Sequence, residues 1–146
     1  LDLTYIKVEN CCYVIKYPDS EVITSDQAKY LKYSMQSIWN SIKNGTYENF
    51  IDVDSIIDYY LVEELFKNVD CASASVYFYL EPNGKLKMGP VWDFDIGLDA
   101  VGLSNNDGTY NSYHYSDFWA KENNKMWRIL FTHPKFVEKV KEELNK

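Results

Sequence analysis

Two aspartates, Asp93 and Asp95, flank Phe94 directly behind an apolar, strand-like run. Side chains alternate along a strand, so both carboxylates are expected on one side. A hard cation such as Mg²⁺ or Mn²⁺ takes one or two carboxylates together with substrate phosphates, which makes the pair a candidate metal site. Capping of the following turn is the competing explanation. Asp52 and Asp54 repeat the spacing at a helix start, where capping suffices. Asp70 sets Asp93 apart. The order along the chain is a helix, Asp70, a hairpin, then Trp92-Asp93-Phe94-Asp95. Acids at the two ends of a hairpin can converge on a single cleft.

The other chemically capable residues are weaker candidates. Glu64 and Asn68 fall one turn apart on the apolar stripe of the helix before Asp70. An unpaired buried polar group costs about 1–3 kcal/mol, so both are expected to be buried and bonded to backbone or to the Asp70 loop. They either satisfy nearby backbone or help to shape a site. His114 and His133 are lone histidines without metal-ligand spacing and read as surface or cap residues. Three cysteines, Cys11 and Cys12 adjacent, form neither a disulfide framework nor a zinc set and read as small apolar fillers. Asn105, Asp107 and Gly108 outline a calcium loop, but Leu103 occupies the first ligand position.

Composition narrows the classes further. Fifteen Lys and Arg against 22 Asp and Glu leave a net charge of −7, which argues against a protein that tracks nucleic-acid phosphates. At 146 residues, 46% hydrophobic and 25% charged, the chain suits one ordinary domain and not a disordered tail. No apolar run approaches the roughly 20 residues of a membrane span. No leader pattern is visible, and 13 tyrosines suit a hydrogen-bonding core or a binding groove.

The elements that must position these residues follow from patterning. Residues 4–8 and 11–17 read as two strands joined at Glu9-Asn10, starting so near residue 1 that further chain is expected upstream. Ser25, with Asp26 and Gln27, marks the start of a helix over 25–43 that carries Ala28, Leu31, Met35, Ile38, Trp39 and Ile42 and stops at Gly45. A second helix opens at Asp52 or Asp54 and runs to Asn68, with Ile57, Tyr60, Leu61, Glu64 and Leu65 on one face. Asn83-Gly84 predicts a hairpin over 75–91. Residues 99–117 read as a long loop, and two short helices, 125–131 and 134–144, close the chain. The expected fold class is α+β.

Residues 51–70 (IDVDSIIDYYLVEELFKNVD) and 84–95 (GKLKMGPVWDFD) closely resemble the CotH family of spore-coat and secreted kinase-like proteins. Residues 14–24 and 130–145 extend the likeness, while 1–10 and 99–120 match poorly. The resemblance implies the mainly helical C-terminal lobe of an atypical protein kinase, with the hairpin at its centre. Its activity would be transfer of phosphate from ATP, with Mg²⁺ or Mn²⁺, to protein hydroxyls. Kinases place an acid near the substrate hydroxyl, then a hairpin, then a metal-binding acid. On the resemblance, Asp70 matches the first acid and Asp93 the second, Asp70 also lying at the metal. Asn68 and Asp95 share those motifs, as a catalytic-loop and a cofactor-binding residue. Small residues, Cys71 to Ala74, follow Asp70 where the family carries bulky or basic ones, and the segment after Asp95, which commonly ends in Gly-Asn, here reads Ile96-Gly97-Leu98-Asp99.

The implied partners are a protein substrate, such as a Ser-rich coat or surface protein, and a nucleotide-covering N-terminal lobe. That lobe, with its phosphate-binding lysine, is expected upstream of Leu1, because no Gly-rich phosphate loop occurs in these residues. The implied location is extracellular or in a spore coat. Two other classes compete: a non-enzymatic surface or glycan-binding module on a degenerate kinase scaffold, and a metal-dependent glycosyltransferase using Asp93-Phe94-Asp95. The second needs a parallel βαβ sheet before the motif, and the sequence shows none.

Overall fold

The computed structural model describes residues 4–72, 74–95, 97 and 118–146. The chain divides into two compact units, Leu1–Phe50 and Ile51–Lys146. Helices and two small two-stranded sheets alternate along it, an α+β arrangement. Among the described residues, no helix is long and apolar enough to cross a membrane.

In the first unit, β1 (Tyr5–Val8) and β2 (Cys11–Val14) pair antiparallel, from Tyr5 opposite Val14 to Val8 opposite Cys11. Glu9 and Asn10 form the turn, with φ of 54° and 64°. Two successive left-handed residues give the turn whose twist matches that of the strands. Ile6 and Val8 are buried, whereas Cys12 is exposed and is no core filler. The second strand ends at Val14, short of the expected residue 17.

Helix α1 (Ser25–Asn44) covers this ribbon, burying Ala28, Met35, Ile38, Trp39 and Ile42 as the spacing predicts. Its cap is Thr24, one residue before the Ser25 expected from sequence. Thr24 Oγ1 accepts from Gln27 N at 3.2 Å, and Gln27 Oε1 accepts from Thr24 N at 2.8 Å. That reciprocal box satisfies two otherwise orphaned donors, which Ser25 could not do with Gln27 two residues on. Gly45, at φ 74°, ends the helix. Trp39 Nε1 donates to the Tyr13 hydroxyl at 2.8 Å, and Glu9 accepts from Gln36 and Lys43.

The second unit is built on α2 (Val53–Phe66), capped by Asp52, whose carboxylate accepts from Ser55 N at 3.1 Å. Val53, Ile56, Ile57, Tyr59, Tyr60, Glu63 and Glu64 are all buried, so the helix is covered on more than one face. Leu65, expected inside, is exposed. The helix also ends earlier than the expected Asn68. Lys67 turns left-handed at φ 50°, Asn68 N donates to Glu63 O at 3.2 Å, and Lys67 N to Glu64 O at 3.4 Å. This is a paired C-terminal cap in which lysine takes the place usually held by glycine.

The expected hairpin is present, with regular pairing confined to β3 (Phe78–Tyr79) and β4 (Lys87–Met88). Asn83 at φ 58° makes the turn, and Pro82 and Pro90 bring no N–H to a longer ladder. Gly89 N donates to Tyr77 O at 2.7 Å, and a Cβ on Gly89 would lie 2.6 Å from that of Tyr77. Ser55 Oγ accepts from Met88 N at 2.9 Å, tying β4 to α2. A parallel bridge joins Ile51 to Leu86.

Three helices complete the unit: α3 (Trp119–Asn123), α4 (Lys125–Leu130) and α5 (Pro134–Leu144). The first of these is absent from the sequence reading, being too short to show a period. Tyr60, Trp127, Phe131 and Phe136 form its aromatic core, with Tyr60 4.9 Å from Phe131 and 5.5 Å from Trp127 between ring centres.

Candidate functional site

The end of α2 delivers Asp70. Asn68, 2% exposed, accepts through Oδ1 from Asp70 N at 3.2 Å, folding the chain into the short 3₁₀ turn Val69–Ala72. Asp70 O then accepts from Ala74 N at 2.8 Å, and Cys71 O from Asn124 Nδ2 at 2.8 Å. Asn68 therefore holds the backbone of the acid that the sequence singles out. Cys71 is buried directly behind it, and burial pushes its thiol up.

Glu64 and Asn68 are buried and hydrogen-bonded, as their place on the stripe predicts. Glu64 Oε1 accepts from Lys67 Nζ at 2.6 Å, and Oε2 from Ala120 N at 2.8 Å and Lys121 N at 3.4 Å. A carboxylate against the first amides of α3 fastens that helix to α2. Its role is structural.

The hairpin's far end delivers Asp93 differently from the expectation. No strand runs through residues 91–94, and Asp93 itself is left-handed at φ 64°, so simple alternation does not orient the pair. Instead Ser75 Oγ donates to Asp93 Oδ2 at 2.7 Å, and Trp92 Nε1 donates to Ser75 O at 2.7 Å. Phe94 packs on Phe66 with ring centres 5.0 Å apart. Gly97 follows, donating to Phe94 O at 3.0 Å, so close to α2 that a Cβ would lie 2.9 Å from Phe66 O. Phe94 and Gly97 thereby lie against the C-terminus of α2, the element that leads to Asp70.

Electrostatics record the result. The Asp70 carboxyl is raised above its ordinary value by burial, then by the negative charges of Asp93 and Asp95. Asp70 and Asp93 are half-buried and Asp95 is exposed. Carboxylates of one sign acting on one position suit a hard divalent cation, which would relieve that repulsion. Among the described residues, no group of three or more His, Cys, Asp or Glu is arranged to hold a metal. A cation shared with nucleotide phosphates needs only one or two carboxylates, and Asp70 and Asp93 are hard oxygen donors of that kind.

Two residues escape the sequence reading. Ser75 sits in a run of small residues with nothing to distinguish it. Glu63 is fully buried, 0% exposed, and neither carboxylate oxygen is hydrogen-bonded. Burial pushes its carboxyl up and Asp70 adds to this. The polar edges of Tyr59 and Asn68 pull the other way without reaching hydrogen-bond geometry. His133 stands at the cap position of α5, as expected of it. The expected loop at 99–117, the set-aside calcium loop and His114 lie outside the described residues.

A family model described as CotH kinase protein matches residues 8–146. Comparison with curated proteins finds no match, and neither does comparison with solved structures.

Proposed function

The chain belongs to the CotH kinase family, and from that premise we propose that it forms the C-terminal lobe of an atypical protein kinase. The reaction is transfer of the γ-phosphoryl group of ATP to a protein Ser or Thr hydroxyl. The hydroxyl oxygen bonds to the γ-phosphorus, the bond to the ADP oxygen breaks, and the hydroxyl proton passes to Asp70. Asp93 and Asp70 would hold Mg²⁺ or Mn²⁺, with Asp95 a further acid of the cofactor-binding motif. The cation would supply charge neutralisation to the phosphate oxygens. Asn68 fixes the Asp70 backbone. The observation that carries this reading is the turn in which Asn68 holds Asp70, with Asp93 held by Ser75 at the far end of the following hairpin. Burial, the first cause of the raised Asp70 carboxyl, makes it a better proton acceptor near neutrality.

Phosphoryl transfer needs charge and positioning from both sides of the nucleotide. The lysine and phosphate-covering loop come, on this proposal, from a lobe upstream of Leu1. The acceptor is a Ser-rich coat or surface protein outside the cell or in a spore coat. The test incubates the full-length protein and the isolated chain with labelled ATP, Mg²⁺ or Mn²⁺, and a Ser-rich acceptor. Labelling by the full-length protein alone is expected, falling about 10²- to 10⁴-fold in Asp70→Ala and at least as far in Asp93→Ala. Undiminished labelling by Asp93→Ala overturns the site. No labelling by the full-length protein with either metal favours the non-enzymatic module.

A further inference from the structure

We propose that Ser75 is the positioning residue of Asp93, fixing that carboxylate's orientation for a divalent cation while leaving its charge intact. The inference rests on the metal reading of Asp93 given above.

Ser75 and Asp93 stand 18 residues apart, at the two ends of the hairpin. Both are held in the left-handed region, at φ 52° and 64°. Residues other than glycine occupy that region at a cost, and they persist there where the surroundings over-determine them. Here the surroundings are each other. Ser75 contributes its hydroxyl to Asp93 Oδ2 at 2.7 Å and its carbonyl to the Trp92 indole N–H, also at 2.7 Å. The Trp92 ring is further braced by Tyr77, 5.3 Å away between ring centres. One residue therefore clamps two consecutive positions of the opposite limb, side chain to side chain and main chain to indole.

The chemistry of the clamp matters as much as its geometry. A lysine or arginine on Asp93 would orient the carboxylate but compete with a cation for it. A hydroxyl donates one neutral hydrogen bond to Oδ2, and the carboxylate keeps its full negative charge and Oδ1 for a ligand. Outer hydrogen bonds of this kind set the orientation of metal-ligating carboxylates, and removing one costs about 10- to 100-fold in metal affinity.

The test measures Mn²⁺ binding to the whole chain by electron paramagnetic resonance, with thermal unfolding alongside. Ser75→Gly removes the hydroxyl and also relieves the left-handed backbone, so its melting temperature should not fall. Ser75→Ala removes the hydroxyl alone. Both are expected to bind Mn²⁺ about 10- to 100-fold more weakly. Asp93→Asn should abolish binding. Unchanged Mn²⁺ affinity in Ser75→Gly, with binding lost in Asp93→Asn, overturns the inference and spares the metal reading. No Mn²⁺ binding by the unsubstituted chain, or binding indifferent to Asp93→Asn, overturns the metal reading itself. A melting temperature that falls in Ser75→Gly while Mn²⁺ affinity holds makes Ser75 a purely structural residue.

Discussion

Neighbouring glutamates on α2 meet opposite fates, and the difference is one of partners. Glu64 has a lysine and the first amides of α3, so Glu64→Ala leaves those donors short and should cost about 1–3 kcal/mol in denaturant unfolding. Glu63 is buried with no hydrogen bond to either oxygen, and its carboxyl is raised from an ordinary 4.5 mainly by that burial. Well below that value the proton is bound in the folded and unfolded chain alike, and stability is undiminished. As pH rises past it, the unfolded chain releases its proton first, and stability falls until the folded carboxyl also ionises. Glu63→Gln should therefore flatten stability across this window and leave the mutant the more stable form near neutrality. Unfolding midpoints measured from acid to neutral pH in both proteins decide it. An unchanged pH slope would mean that Glu63 is not the group responsible. Glu64 was legible because it lies on the i, i+3, i+4 stripe with Ile57, Tyr60 and Leu61. Glu63 lies one residue round the helix, and only a helix buried on more than one face brings it inside.

Elements read well where local chemistry dominates and poorly where the partner strand or helix decides. The Asn-Gly turn, the Asp52 cap and the stripe of α1 are local signals, and each is found in the structure. Thr24 and Ser25 are both good caps by type, and only the reach of Gln27 separates them. Thr24→Ala should cost about 1 kcal/mol, whereas Ser25→Ala should be nearly neutral, as unfolding of the two variants would show. Asp93 shows the opposite limit. Its orientation comes from Ser75 across the hairpin, a contact that no spacing rule contains. The hairpin's rigidity thus bears on the site, and Gly89 is its tightest point. A methyl group there meets Tyr77 Cβ at 2.6 Å, with no flexible chain end to yield. Gly89→Ala should cost about 1–3 kcal/mol and, by spreading the limbs that carry Ser75 and Asp93, weaken Mn²⁺ binding as well. Loss of stability with Mn²⁺ affinity intact would uncouple the hairpin from the site.

At the scale of the molecule, the order helix, Asp70, hairpin, Asp93 is legible in spacing and turn chemistry, and the elements follow one another in that order in the structure. The family likeness adds roles to that order. It did not disclose that the chain forms two compact units. Leu1–Phe50 has the β1–β2 ribbon against α1, centred on Trp39 and Ile42. Ile51–Lys146 has Tyr60, Trp127, Leu130 and Phe136, together with every residue placed in the candidate site. Asp70, Asp93, Asn68 and Ser75 are held by α2, the hairpin and the 3₁₀ turn between them, whose hydrogen bonds close within the second unit. Metal affinity should then be a property of that unit alone. Residues 51–146, produced without the first fifty, are expected to unfold cooperatively. They should bind Mn²⁺ within about twofold of the whole chain, since independent sites perturb one another by no more than about 0.3–0.5 kcal/mol. Binding should still vanish in Asp93→Asn. A shortened protein that unfolds cooperatively but binds Mn²⁺ tenfold or more weakly would show that the first unit contributes to the site, and the clamp between Ser75 and Asp93 would be insufficient to define it.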